Sequence, residues 1–229
     1  MASQITVLIN DQDSFEIVRD RVAQILADES AGQMALATAQ GIDPAPWDLK
    51  VYRERSIPWE LLSGDATDDH AINVWFDSAN VDDAAADVTN RQTFIGTINI
   101  DIIFGSVAIE TADGYAPADR AAALGANRIM RLVRNMIMSD SYTYLGLRQT
   151  QAPLVAVGKR WVRSMNTFQP QLDNKTAQHI VGARLELSVR YSEFSPQYQP
   201  ANVQILDCTV DEDSQGRVLA GAQFDYTPS

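Results

Sequence analysis

The sequence predicts an α+β fold: a mixed or largely antiparallel sheet flanked by two helices, with a C-terminal β-hairpin extension. Three observations lead there. Apolar residues recur every second position along 94–104 and again along 181–191, the period of strands with one buried face. Phe15, Val18, Val22, Ile25 and Leu26 follow helical spacing instead, as do apolar residues between Leu124 and Ile137. The order helix, strands, helix, strands, hairpin lacks the regular strand–helix alternation of a doubly wound fold.

The elements follow in order. Residues 5–9 read as a short strand or an extended arm. Asp13 or Ser14 can cap the first helix, because a short oxygen-bearing side chain satisfies its first free amides. That helix is expected to run to about Asp28, and the Gly- and Pro-containing segment 32–46 reads as a helix end and a loop. Residues 47–56 read as extended. Residues 71–77 form a second strand, apolar on both faces, as suits the sheet interior or a covered interface. An acidic loop follows over 78–90. The clearest strand spans 93–110, where the apolar parity switches after Gly105 to Val107 and Ile109, as at a bulge. Its length exceeds that of most strands, so its end is expected to project as a ribbon. Pro117 and Asp119 open a helix to about Ser139, with Leu124, Ile129, Leu132, Val133, Met136 and Ile137 as its apolar face. Strands are expected over 155–163 and 179–193, separated by a polar connection. Residues 1–193 thus make the body. Residues 194–229 make the extension, with strands at 203–210 and 217–226 around a polar turn.

Composition narrows the function. Hydrophobic residues make up 45% and charged residues 21% of the 229-residue chain, ordinary for a globular protein with a real core. No run of apolar residues is long enough for a membrane-spanning helix, and the first ten residues do not read as a signal peptide. Cys208 is the only cysteine, which leaves no internal disulfide and argues against a thiolate zinc site. No HExxH, phosphate-binding or dinucleotide-binding glycine loop, or GxSxG element occurs. His70 and His179 are the only histidines. The acidic clusters at 65–69 and 211–213 do not match a calcium-loop spacing, and solvated loops are the simpler reading. No catalytic residue, metal or cofactor is expected, and the chain reads as a non-enzyme. The open alternatives are a nucleic-acid-binding module, because the centre is basic, and a carboxylate-dependent enzyme.

The net charge of −12 is unevenly spread. Residues 1–119 carry 6 Lys/Arg against 21 Asp/Glu, and 120–190 carry 11 against 3; residues 191–229 carry 1 against 6. Such sections can pair within one chain or between copies, or serve as solvated faces. Arg128, Arg131 and Arg134 recur every third residue on the second helix and are candidates for a subunit interface, with a solvated face as the alternative. Asp82, Asp83 and Asp87 are candidates for a channel or docking face. Val203, Ile205, Phe224 and Tyr226 on the hairpin are candidates for clasping an adjacent subunit, since a lone hairpin is marginal in water.

The opening helix with Phe15, Val18, Val22 and Ile25, the strand Phe94 to Phe104, the helix Ala118 to Met138, and the strands Val155 to Arg163 and Ile180 to Tyr191 together resemble bacteriophage tail-terminator and neck-connector proteins. The resemblance lies in the order of elements and spans roughly two thirds of the chain. It implies a homo-oligomer, a hexameric ring at the head-proximal end of a phage tail. The ring would end tube polymerisation and support attachment to the head or neck while leaving a DNA channel. The implied partners are the tail tube protein, a neck or head-completion protein and, in a contractile tail, the sheath; DNA would pass through transiently and without sequence specificity. The implied location is the virion, tail or neck, after assembly in the host cytoplasm. Portal-to-tail adaptors and baseplate proteins share this pattern.

Overall fold

A computed structural model describes residues 12–62, 68–85, 91–111, 114–147, 155–170, 178–194, 206–212 and 218–224. The chain divides into two compact units, 1–195 and 196–229. In the second unit β8 (Leu206–Glu212) and β9 (Val218–Phe224), named in chain order, pair as an antiparallel hairpin. The proposed arm over residues 5–9 lies outside the described residues.

The first unit is α+β, as expected. It contains α1 (Ser14–Ala39), β1 (Val51–Arg53), β2 (Asp69–Val81), β3 (Arg91–Ser106), β4 (Ile109–Thr111), β5 (Gly114–Ala116), α2 (Ala118–Ile137), β6 (Val155–Phe168) and β7 (His179–Phe194). The main sheet is open and mixed, in the order β1-β2-β3-β7-β6. Only β1 runs parallel to its neighbour, with Val51 opposite Ile72; the other pairings are antiparallel.

The alternation in β3 and β7 sets the layers. Ile98, Ile100, Ile102 and Phe104 of β3 lie in register with Leu187, Leu185, Ala183 and Val181 of β7. All are buried and belong to one core with Val18, Val22, Ile25 and Leu26 of α1 and Ala122, Ala126, Ile129 and Val133 of α2. Burial of one such aliphatic side chain contributes about 1.5–3 kcal/mol, so this seam between helices and sheet dominates the stability.

Three expectations are corrected. First, α1 continues past Gly32 to Ala39. Met34 to Ala39 are mostly good helix formers and outweigh one exposed glycine, which costs about 1 kcal/mol. The stop is Gly41, at φ +70°, where the Ile42 amide bonds the Ala37 carbonyl at 2.9 Å and the Gly41 amide bonds Thr38 at 3.1 Å. At the other end, the Asp13 amide donates to the Glu16 carboxylate at 3.0 Å. Second, residues 47–56 are not one extended segment: Ala45–Trp47 is a 3₁₀ turn and the strand is only Val51–Arg53. Third, the long strand expected over 93–110 is two elements. β3 ends at Ser106, having paired with β7 along its whole length, and β4 forms a separate ribbon with β5.

The apolar face of α2 keeps Ile129, Val133, Met136 and Ile137 buried, as expected, but not Leu124. Leu124 is 60% exposed, whereas Ala122 and Ala126 are fully buried. At about 100° per residue, Leu124 sits roughly 200° around the helix from Ala122 and faces away from the sheet. The small residues let α2 approach β3 closely, and a methyl added at Gly125 would overlap the Phe104 ring.

Candidate functional site

With both helices on one face of the sheet, the alternate residues of β2, β3, β7 and β6 form the opposite face. Cross-strand register groups Asn73 with Asp101, Asp101 with Arg184, and Arg184 with Asn166. This face is polar yet tightly covered by its own side chains: Asn73 is 1%, Asn99 3% and Asp101 6% exposed.

Its centre is built around Asp101. Arg184 donates to that carboxylate through Nε at 2.6 Å and Nη2 at 3.0 Å, and the Trp75 indole donates at 2.9 Å. The guanidinium lies 5.1 Å from the Trp75 ring centroid and 5.6 Å from that of Phe168, a cation held between two aromatic faces. The hydrogen bond to Asp101, outweighing burial, holds the Arg184 guanidinium more firmly protonated than usual. A cavity of about 490 Å³ opens beside this pair, with Trp59, Pro58 and Ile103 among its walls. Asn73 fixes its rim: the Arg55 amide donates to Oδ1 and Nδ2 donates to the Arg55 carbonyl, both at 2.9 Å. Three donors occupy the Asp101 carboxylate, which acts here as an acceptor platform.

The other sequence candidates are distributed around the body. Arg128 donates to the Pro46 carbonyl at 3.4 Å, and its Nε is buried without a partner among the described residues. Arg131 and Arg134 are exposed. A step of three residues recedes by about 60° around a helix, so the three arginines fan over the outer half of α2 instead of forming one straight ladder. Asp82 receives Arg190 Nε at 2.7 Å and its side chain is only 11% exposed; Asp83 is exposed. Asp87, Val203, Ile205 and Tyr226 lie outside the described residues, and Phe224 is placed only as the last residue of β9.

Two further groups are structurally engaged. The His70 Nε2–H donates to the Asp48 carbonyl at 2.7 Å, and the ring stacks on Phe104. Burial pushes the imidazole below its usual range, which keeps it neutral. Arg160 donates to the carbonyls of Ile137 and Ser139 at 2.7 and 2.6 Å, capping the C-terminal end of α2 with charge of the sign its dipole favours. Among the described residues, no group of three His, Cys, Asp or Glu is placed to hold a metal, and no helix is long and apolar enough to cross a membrane.

The Asp101–Arg184–Trp75 cluster is not among the sequence candidates. Its signal was one acid on the polar parity of an isoleucine-rich strand and one arginine on the polar parity of a leucine-rich strand. Only the register of β3 with β7 brings them together. No known protein-family pattern matches the chain, and no curated protein matches its sequence.

Proposed function

We propose that the chain is a structural subunit of a ring at the head-proximal end of a phage tail. There it ends tube polymerisation and supports attachment to the head or neck while leaving a channel for DNA. The observation that carries this reading is the division of charge along the sheet order. Residues 12–62, with α1 and β1, hold nine acidic against five basic side chains, and residues 68–85, with β2, hold five acidic and none basic. At the far edge, β6 holds three basic residues and no acidic one; residues 118–147, with α2 packed over β7 and β3, hold four basic against two acidic. A subunit with unlike edges associates head to tail, and such contacts close into a ring when the rotation fits. Lys159 and Arg163 on β6 and Arg120, Arg131 and Arg134 on α2 are exposed cations.

The carboxylates of Asp101, Asp69 and Asp82 each hold an ion pair inside the body, which favours an assembly role over carboxylate chemistry. The extension, with Val203, Ile205, Phe224 and Tyr226, is proposed as a clasp on an adjacent subunit or tail component. The tail tube protein and a neck or head-completion protein are the proposed axial partners.

Mass measurement in solution together with imaging of native particles tests this reading. A closed ring seen at the tube end next to the head is the expected result. A monomer at every concentration, or a position inside a baseplate, would reject tail termination. The exposed cations also favour a second reading, a nucleic-acid-binding module. That reading requires DNA affinity that falls steeply and linearly on logarithmic axes as salt rises.

A further inference from the structure

We propose that the helix-free sheet face carries, at its Arg91 end, a binding site for a tetrahedral oxyanion of the phosphate class. A cavity of about 330 Å³ there is lined by Arg91, Thr93, Arg190, Ser192, Ala156 and Gly158. Register explains their convergence. Thr93 lies opposite Ser192, Ser192 opposite Ala156, and Arg190 opposite Lys159, while the β6 irregularity between Val157 and Lys159 leaves Gly158 out of the ladder.

Unused hydrogen-bonding capacity points to the ligand. Arg91 Nε is buried with no acceptor among the described residues. Thr93 Oγ1 and Ser192 Oγ lie 3.2 Å apart, so whichever donates to the other, one hydroxyl hydrogen remains for a third oxygen. Arg190 gives Nε to Asp82 at 2.7 Å, and that carboxylate offsets one of the two guanidinium charges. The second has no carboxylate partner among the described residues, and Lys159 shares the same face. In a chain of net charge −12, this local cationic excess stands against the background. Donors approach from β3 and β7 together, which suits an anion with acceptor oxygens on several sides better than a planar carboxylate. Gly158 leaves room for it: a Cβ added there would meet only the Arg190 carbonyl, at 3.8 Å.

The site is independent of the ring reading, and its phosphate could be a free ion or part of a nucleic-acid backbone. The test titrates the full-length chain with inorganic phosphate at constant ionic strength, following arginine side-chain N–H signals by NMR. A saturable shift of the Arg91 Nε–H is expected. Arg91→Lys keeps the charge but removes that N–H and should weaken binding about tenfold. Gly158→Leu should block the cavity without lowering the melting temperature. A shift that never saturates or that chloride reproduces, or a shift of the Arg190 Nε–H that survives both substitutions, would overturn the proposal. A short single-stranded oligonucleotide separates the two sources. Binding tighter than inorganic phosphate and lost in both variants assigns the site to backbone phosphate; no gain over inorganic phosphate assigns it to the free ion.

Discussion

At Asp101, three donors converge on one carboxylate that is itself almost fully covered, and removing its charge takes away the ion pair of Arg184. Arg184 retains 36% side-chain exposure, so solvent offsets part of that loss. Asp101→Asn is expected to destabilise the body by about 1–3 kcal/mol in urea unfolding, and to change Trp75 emission as the indole loses its acceptor. His70 makes a pH-dependent contribution. Its folded-state affinity for a proton is depressed, so the neutral form is favoured in the fold and its contribution is complete above the ordinary value of 6.5. As pH falls below that value the unfolded chain takes up the proton first, and stability is lost down through the lower folded-state value. His70→Gln should flatten this segment of the stability–pH curve relative to the parent; parallel curves would contradict the assignment.

The helices test packing at the scale of elements. Ile129 is fully buried against the sheet, whereas Leu124 is 60% exposed. Ile129→Ala is expected to cost about 2–4 kcal/mol in urea unfolding through lost contacts and a residual cavity. Leu124→Glu should stay within about 0.5 kcal/mol, because nothing packs over a residue turned away from the core. Equal losses would mean that α2 buries the other face. The sequence revealed α2, roughly where it lies and most of its buried face, since Ile129, Val133, Met136 and Ile137 are buried as expected. Leu124 is the exception, and Ala122, Gly125 and Ala126 complete the contact because small side chains permit close approach. Likewise Gly32 looked like a stop, but only Gly41 adopts the left-handed conformation that ends a helix.

For the whole molecule, the unlike edges make assembly a matter of charge. Salt near 0.5 M screens exposed charges beyond about 4–5 Å, compared with about 10 Å at 0.1 M. Rings held by the basic edge should therefore lose mass in light scattering as salt rises, and Lys159→Glu combined with Arg163→Glu should prevent them from forming at low salt. A mass unaffected by either change would place the lateral contact elsewhere.

The sequence by itself determined the fold class, the two helices and the strands with one apolar face, because these follow from periodicity along the chain. It also determined the charge asymmetry, which is a property of composition. Tertiary structure decided which polar residues meet. Asp101 and Arg184 are 83 positions apart, and Arg91 and Ser192 line one cavity only through the antiparallel register of β3 with β7. Register is a property of two strands together, set by the shared burial of both apolar faces, and no local pattern in either strand contains it.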